Sequence, residues 1–248
     1  MNTMHFGEKY RQAVLEGFRQ RSYTESSMSH ELDLEFSGAR TVHVLSLQTE
    51  PLQDYNRAGD LGEGSRFGQT KEVGDFEQTF TMTQDKSLSL SVDKGNHVEQ
   101  FNVKKAGAIM AAERDEHVVP ELDRYRLEQW ARHGGIHKAL GAAPTRETIV
   151  SQIVELHNEM LNLGVPEEGG TLFIQRAYVP ALKLSTEWTG LDSLGGKSLP
   201  SGSIGMVDGL AVKPVPTSRF PKDCYFLIVH RGAVIAPMKI QSFKGHTD

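Results

Sequence analysis

Cysteine is nearly absent from this sequence: Cys224 is the single cysteine among 248 residues. One thiol can neither close an internal disulfide nor supply the repeated cysteine ligands of a structural zinc site. We therefore expect no disulfide framework and no cysteine-based metal site. Such a composition is typical of a reducing compartment.

Long apolar runs and a basic charge balance are missing as well. The chain has no run of about eighteen apolar residues, and residues 1–21 contain no continuous apolar segment, so we expect neither a membrane span nor a secretory signal. The 27 Lys and Arg residues are outnumbered by 32 Asp and Glu residues, which leaves a formal net charge of -5. This balance disfavours general binding to nucleic-acid phosphates.

The common catalytic motifs are also absent: G-x-S-x-G, H-E-x-x-H, G-x-G-x-x-G and the EF-hand loop. Gly195-Gly196-Lys197-Ser198 imitates the end of a phosphate-binding loop, but Leu191 stands where that loop needs its first glycine. We therefore expect no enzyme: no catalytic, cofactor-binding or metal-ligating residue and no cofactor. A phosphate-dependent enzyme that uses Gly195–Ser198 is the alternative from a different class.

Other polar residues have simpler interpretations than a site. His133 and His137 have the spacing of metal ligands on a helix, but Gly134 and Gly135 between them disfavour that helix. Glu155, His157 and Glu159 point to different faces of one helix, so they are interpreted as surface residues. Cys224 opens an apolar strand, which indicates a buried small side chain and not a reactive thiol.

The first half of the sequence combines a polar leader with strands and a glycine-rich excursion. Residues 22–29, rich in Ser and Thr, are not expected to join a core, whereas Thr41–Leu47 alternates like a strand. From Thr49 to Asp75 the chain carries five glycines and little apolar periodicity. Two alternating runs, Phe76–Thr83 and Ser87–Asp93, then predict a hairpin around the short loop 84–86.

Helical periodicity dominates the middle of the chain. It runs from Asn96 to Arg132, with Val118, Val119, Leu122, Tyr125 and Trp130 on its apolar face, and Pro120 predicts a kink or a break. About 36 residues at 1.5 Å per residue would span roughly 54 Å, which exceeds the width of a compact domain of this size. A second amphipathic helix is predicted over Thr145–Leu163.

The last third is mainly strand-like. The patterns predict a buried strand over Thr171–Ile174, a short helix over Ala177–Leu184 bent by Pro180, and a loop over Glu187–Gly202. Three further strands follow, Ser203–Val207, Leu210–Val215 and Cys224–His230, the first two joined by an Asp208-Gly209 turn.

A polar leader, a long glycine-rich excursion and an over-long helix are hard for a monomer to cover or order. Neighbouring copies would cover all three, as in the subunit of a lattice or shell. Plain disorder of the leader and the loop explains the first two equally well.

Several segments, taken in order, resemble the major capsid proteins of tailed double-stranded DNA bacteriophages, which have the Hong-Kong-ninety-seven type of shell fold. None is diagnostic alone, but their order and spacing make the match specific. The segments are Ala39–Leu47, Leu52–Arg57 with Ser65–Gly68, Thr81–Asn96, Val119–Leu127 and Gly205–Val212.

The resemblance implies an α+β capsid shell fold, divided by position into six parts. They are an N-terminal arm (1–36), a peripheral-domain strand (37–47), an extended hairpin loop (48–91), a peripheral-domain spine helix (92–134), an axial domain (135–239) and the start of a return to the peripheral domain (240–248). Related proteins continue further, so we expect this chain to be truncated after Asp248.

The function implied by the resemblance is a structural subunit of an icosahedral capsid. Such a subunit assembles with itself as hexamers and pentamers, and scaffolding and portal proteins are possible further partners. It encloses DNA without binding it specifically, and it belongs to the virion after assembly in the host bacterial cytoplasm. An encapsulin-type compartment shell, which holds a cargo enzyme, is the alternative within the same fold.

Charge complementarity suggests which residues meet between subunits. Arg57, Arg66 and Lys71 of the loop are expected to face an acidic helix surface that includes Glu113 and Asp115.

Overall fold

The computed structural model describes residues 22–28, 34–37, 41–47, 74–87, 111–185, 188–190 and 202–236, and the single positions 52, 55 and 57. The chain forms two compact units. Unit 1 consists of Met1–Ser29 with Ser91–Asp248, and unit 2 consists of His30–Leu90.

Unit 2 contains a three-stranded antiparallel sheet. Its strands are β1 (Leu34–Ser37), β2 (Thr41–Leu47) and β3 (Asp75–Thr81), in that spatial order. The alternation predicted for β2 is confirmed: Val42 and Val44 are buried, while His43 between them pairs with Glu77 of β3. Strand β2 is the central strand because β1 and β3 both pair with it, and Val42 lies opposite Phe80 of β3 in the register.

The predicted hairpin after β3 differs from the structure. Strand β3 pairs with β2, and residues 82–87 are irregular, so the loop is longer than the three predicted residues 84–86. The rest of the second predicted strand, residues 88–93, lies outside the described residues, as do residues 96–110 of the predicted long helix.

The described part of that helix is continuous through Pro120. Residues 111–113 are α-helical, Arg114–Val118 form a π-helical turn, and helix α1 runs over Val119–His133. In the wider turn the Val119 N–H donates to the Arg114 carbonyl, five residues back. A π-turn accommodates the missing donor of the proline that follows it, so no break occurs at Pro120.

Unit 1 also contains a mixed five-stranded sheet. Its strands are β4 (Gly170–Gln175), β5 (Thr189–Gly190), β6 (Gly205–Val207), β7 (Leu210–Val215) and β8 (Phe226–His230), in the order β5-β6-β7-β4-β8. The pair β4 and β7 is parallel and the other pairs are antiparallel. The strands predicted near β4, β6, β7 and β8 are confirmed, whereas β5 lies within a segment predicted to be a loop.

One face of this sheet packs against helix α2 (Ile149–Asn162) and the short helix α3 (Val179–Lys183). Pro180 occupies the first turn of α3, where a proline needs no helical donor, so it begins the helix and does not bend it. The core on this face is continuous across the three elements. It contains Ile149, Val150, Ile153, Leu172, Ile174, Leu182, Val207, Leu210 and Val212.

The opposite face packs against α1. Phe173 of β4 meets Leu127 of the helix in a second apolar cluster with Val215, Phe220 and Val229, and the ring centroids of Phe173 and Trp130 lie 5.8 Å apart. Because both faces are covered, β4 and β7 are buried almost along their whole length, and a polar residue on either strand needs a partner inside the protein.

Candidate functional site

A short N-terminal segment of unit 1, residues 22–28, lies against the α1 helix and the five-stranded sheet of the same unit, and we call it the strap. It contains a single 3-10 turn, Glu25–Ser27. Thr24 is fully buried, and Ser27 and Met28 are 2% and 3% exposed. The prediction that this Ser- and Thr-rich stretch stays out of the core is therefore wrong, because unit 1 supplies buried charged partners for its polar groups.

The carboxylate of Asp123 on α1 is the centre of these contacts. The hydroxyls of Ser22 and Thr24 donate to it over 2.6 and 2.9 Å, and the Tyr23 backbone N–H donates over 3.1 Å. Arg219 completes the set with an ion pair of 3.3 Å. Asp123 is fully buried, and a buried carboxylate is tolerated only when it is paired and hydrogen-bonded in this way.

Arg126 lies three residues further along α1 and binds the next part of the strap. Its guanidinium donates to Glu25 over 2.7 Å and to the Thr24 hydroxyl over 3.1 Å. Its Nε atom is buried without a hydrogen-bond partner among the described residues.

Lys213 of β7 binds the end of the strap. Its ammonium donates to the hydroxyls of Ser26 and Ser27, and it lies 5.8 Å from the centre of the Phe173 ring. Burial lowers the pKa of Lys213 from its ordinary value of 10.5 to about 8, and the negative charge of Asp123 counteracts this shift in part. The Ser27 hydroxyl in turn donates to Thr171 of β4 over 3.2 Å.

Sequence reasoning missed this cluster, although two signals were present. Lys213 interrupts the apolar run of β7, and Asp123 and Arg126 interrupt the apolar face of α1 between Val119 and Leu127. The residues buried on that helix are Val119, Asp123, Arg126 and Leu127, whereas the predicted face members Leu122 and Tyr125 are half-buried.

A second polar pair joins helix α2 to the β6–β7 turn. His157 Nδ1 lies 2.7 Å from a carboxylate oxygen of Asp208, and the histidine side chain is 4% exposed. The interpretation of His157 as a surface residue is therefore wrong, because the turn supplies a partner for its ring. Its other ring nitrogen, Nε2, has no hydrogen-bond partner among the described residues.

The predicted contact residues fall in different parts of the chain. Arg57 is exposed and belongs to unit 2, whereas Arg66 and Lys71 lie outside the described residues. Glu113 and Asp115 belong to unit 1, and each has a partner on its own helical segment: Glu113 lies 3.7 Å from His117, and Asp115 lies 2.8 Å from Arg114. Contacts between copies through these residues stay a prediction.

The remaining candidate residues from the sequence, where the structure describes them, do not come together in a site. His133 and His137 are exposed, and Gly195–Ser198 lies outside the described residues. The Cys224 thiol donates to the Phe226 carbonyl over 3.4 Å, and burial raises its pKa to about 11, which disfavours the reactive thiolate. Within the described residues, no group of three or more His, Cys, Asp or Glu side chains could hold a metal ion.

No helix in the described part of the chain is both long and apolar enough to cross a bilayer.

Comparisons with known proteins identify the fold through structure and not through sequence. No family model matches the chain, and no curated protein matches it. A solved chain described as "Mycobacterium phage Che8" is similar, with a TM-score of 0.50, 20% identity and coverage of 78% of this chain and 68% of that chain. A second, "Asymmetric unit of bacteriophage PhiM1 mature capsid", has a TM-score of 0.47, 15% identity and the same coverage. The protein has a mixed α+β fold shared with a phage protein, in agreement with the resemblance found in its sequence.

Proposed function

We propose that this protein is a structural subunit that self-assembles into the icosahedral capsid of a tailed phage and encloses its double-stranded DNA. The observation that carries the proposal is the fold match to a phage chain over 78% of the sequence. The sequence segments between Ala39 and Val212 that resemble phage capsid proteins in their order and spacing support it independently.

In this proposal the parts of the chain have the roles that the resemblance implies. Residues 1–36 form the N-terminal arm, residues 48–91 form the loop that extends over a neighbouring subunit, and residues 92–134 and 135–239 contain the spine helix and the axial domain. The subunits form hexamers and pentamers, with scaffolding and portal proteins as further partners. The protein acts in the virion and assembles in the host bacterial cytoplasm.

Exposed apolar side chains in unit 2 support a neighbour in this region. Leu52 is fully exposed and Phe80 is 50% exposed. In the proposed capsid, contact with a neighbouring subunit would remove these apolar side chains from water, which favours association.

The decisive experiment is the mass of the purified protein in solution, measured by light scattering and accompanied by negative-stain images. We expect closed shells, or rings of five and six subunits. A stable, monodisperse monomer contradicts the proposal. Nuclease-protected DNA inside particles purified from phage-infected cells distinguishes a capsid from an encapsulin-type compartment, which would contain an enzyme.

Charge reversal tests the predicted contacts between subunits. Arg66→Glu is expected to reduce assembly at least tenfold, because it places like charges opposite Glu113 and Asp115 of a neighbour. Glu113→Lys in the same chain is expected to restore assembly. Glu113 suits this reversal better than Asp115, because its contact with His117 is 3.7 Å long, whereas Asp115 lies only 2.8 Å from Arg114.

The matched control is Arg146→Glu, which reverses an exposed arginine of unit 1 that pairs with the adjacent Glu147. Light scattering reports assembly, and circular dichroism reports the fold. Loss of the fold in Arg66→Glu, or equal loss of assembly in Arg146→Glu, contradicts the interface role.

A further inference from the structure

The strap is joined to the rest of unit 1 mainly through polar side chains. Its hydroxyl and carboxylate groups contact a recess whose charged residues are Asp123 and Arg126 of α1, Lys213 of β7, and Arg219. Three of these residues are basic and one is acidic, so the recess attracts a segment that carries negative charge. Glu25 supplies that charge in the strap.

The recess also recognises shape and apolar character. The Arg219 guanidinium lies 5.4 Å from the centre of the Tyr23 ring, and Met28 is buried at the far end of the strap. Four hydroxyls, from Ser22, Thr24, Ser26 and Ser27, donate to or accept from the recess. A segment without these hydroxyls would leave buried charges without partners, which is unfavourable.

The described part of unit 1 other than the strap, which we call the body, has its own apolar cores. One core joins α2 and α3 to the sheet, and the other joins α1 to the sheet through Leu127 and Phe173. The strap adds a half-buried Tyr23 to the second core, whose buried members all come from the body. Removal of the strap therefore exposes polar groups that water can solvate, and it leaves the main apolar contacts in place.

We propose that this recess is a peptide-binding site, specific for a hydroxyl-rich segment with one carboxylate, and that the strap is its resident, detachable ligand. The strap binds and releases as one unit, because partial release would leave Asp123 or Arg126 buried without partners. Binding of the strap ties the N-terminal segment to the body, and its release frees the segment while the body stays folded.

The test uses the full chain and a fluorescein-labelled peptide with the sequence of residues 21–29. Ser22→Ala combined with Thr24→Val weakens the chain's own strap and leaves the recess intact. The peptide is expected to bind this variant at least tenfold more tightly than the unaltered chain, in which the strap competes intramolecularly. Addition of Asp123→Asn is expected to weaken peptide binding at least tenfold, because an amide nitrogen cannot accept the strap's hydrogen bonds.

The matched control is Glu128→Gln, which removes an exposed carboxylate of the same helix that pairs with Arg132. Added to the strap variant, it is expected to leave peptide binding unchanged. A peptide that itself carries the Ser22→Ala and Thr24→Val changes is expected to bind at least tenfold more weakly.

Amide hydrogen exchange in the same variants shows whether the strap detaches from a folded body. Exchange within residues 22–28 is expected to rise at least tenfold in the strap variant, while β4 and β7 keep their protection. Three results would overturn the proposal: unchanged exchange in the strap, a joint loss of protection in strap and sheet, or an open strap with no peptide binding.

Discussion

Lys213 has an environment very different from that of an ordinary surface lysine. It is 1% exposed in the middle of a central strand, and its ammonium is satisfied by two strap serines and lies near an aromatic ring. Desolvation outweighs the favourable charge of Asp123, so the pKa of Lys213 falls to about 8 in the folded state. In the unfolded chain the same amine regains a pKa near 10.5.

This difference predicts how stability depends on pH. Between pH 8 and 10.5 the unfolded chain binds more protons at Lys213 than the folded chain, so stability rises with pH in that window. Below pH 8 the lysine is charged in both states, and the folded protein carries the full desolvation cost of a few kcal/mol. Lys213→Met is expected to abolish this contribution.

Urea unfolding of both proteins at pH 7 and at pH 10.5 measures the effect. The stability of the unaltered protein relative to Lys213→Met should increase with pH, and the comparison cancels the opposite contribution of Cys224, which both chains share. Lys222→Met, at an exposed turn position, is the control. The difference in stability between the unaltered protein and this variant should not increase with pH. An equal pH dependence in the unaltered protein and Lys213→Met would show that Lys213 does not titrate in this window.

At the scale of elements, the β6–β7 turn combines backbone geometry with a side-chain contact. Asp208 and Gly209 both have positive φ, 48° and 78°, as the tight turn of a two-residue hairpin requires. Asp208 also accepts the hydrogen bond of the buried His157 ring, which joins the hairpin to α2. Two requirements therefore favour aspartate at this position: the backbone needs a residue that tolerates positive φ, and His157 needs a carboxylate partner.

Substitutions at Asp208 test separately the need for positive φ and the need for a partner of His157. Asp208→Asn keeps an acceptor oxygen and tolerates positive φ, so it should remain close to the unaltered protein. Asp208→Gly loses the partner of His157 and should cost about 1–2 kcal/mol. Asp208→Ala loses the partner and adds left-handed backbone strain, so it should cost about 1 kcal/mol more than Gly. Urea unfolding gives the order, and equal stability of the Ala and Gly variants would contradict the strain argument.

At the scale of the whole molecule, the net charge predicts whether the protein only encloses DNA or also binds it tightly. With a net charge of -5, the chain has no excess of cations to release counterions from a duplex. We expect micromolar protein not to retain duplex DNA on a filter at about 50 mM salt, whereas a basic control protein should retain it. Tight binding that falls steeply with added salt would contradict this prediction and assign the protein a direct role in holding the genome.

The elements that sequence patterns predicted well are those determined by neighbouring residues. Helix α2 follows from its apolar spacing, β2 from its alternation, and the β6–β7 hairpin from Asp208-Gly209 between two apolar runs. The continuous helix at Pro120 could not be predicted in the same way. Its π-turn depends on backbone hydrogen bonds that are shared over five residues, and residue preferences do not encode this feature.

The polar sites depended on distant parts of the chain. No sequence pattern predicted the burial of Asp123 and Arg126, because their partners, Ser22 to Glu25, lie about one hundred residues earlier in sequence. His157 appeared to be a surface residue for the same reason, since Asp208 is 51 residues away. Periodicity counts apolar residues within one element and contains no information about such pairs.

The sequence by itself determined the order of the described helices and of the described strands other than β1 and β5, the lack of a metal or catalytic motif, the charge balance and the resemblance to phage capsid proteins. The elements, the motifs and the charge balance follow from composition or from contacts within a few residues, whereas the resemblance rests on the order and spacing of several short segments. Tertiary structure alone decided that the strap is buried and that Lys213, Asp123 and Arg126 receive it. The physical reason is that a buried charge is stable only beside its partners, and only the folded chain brings those partners together.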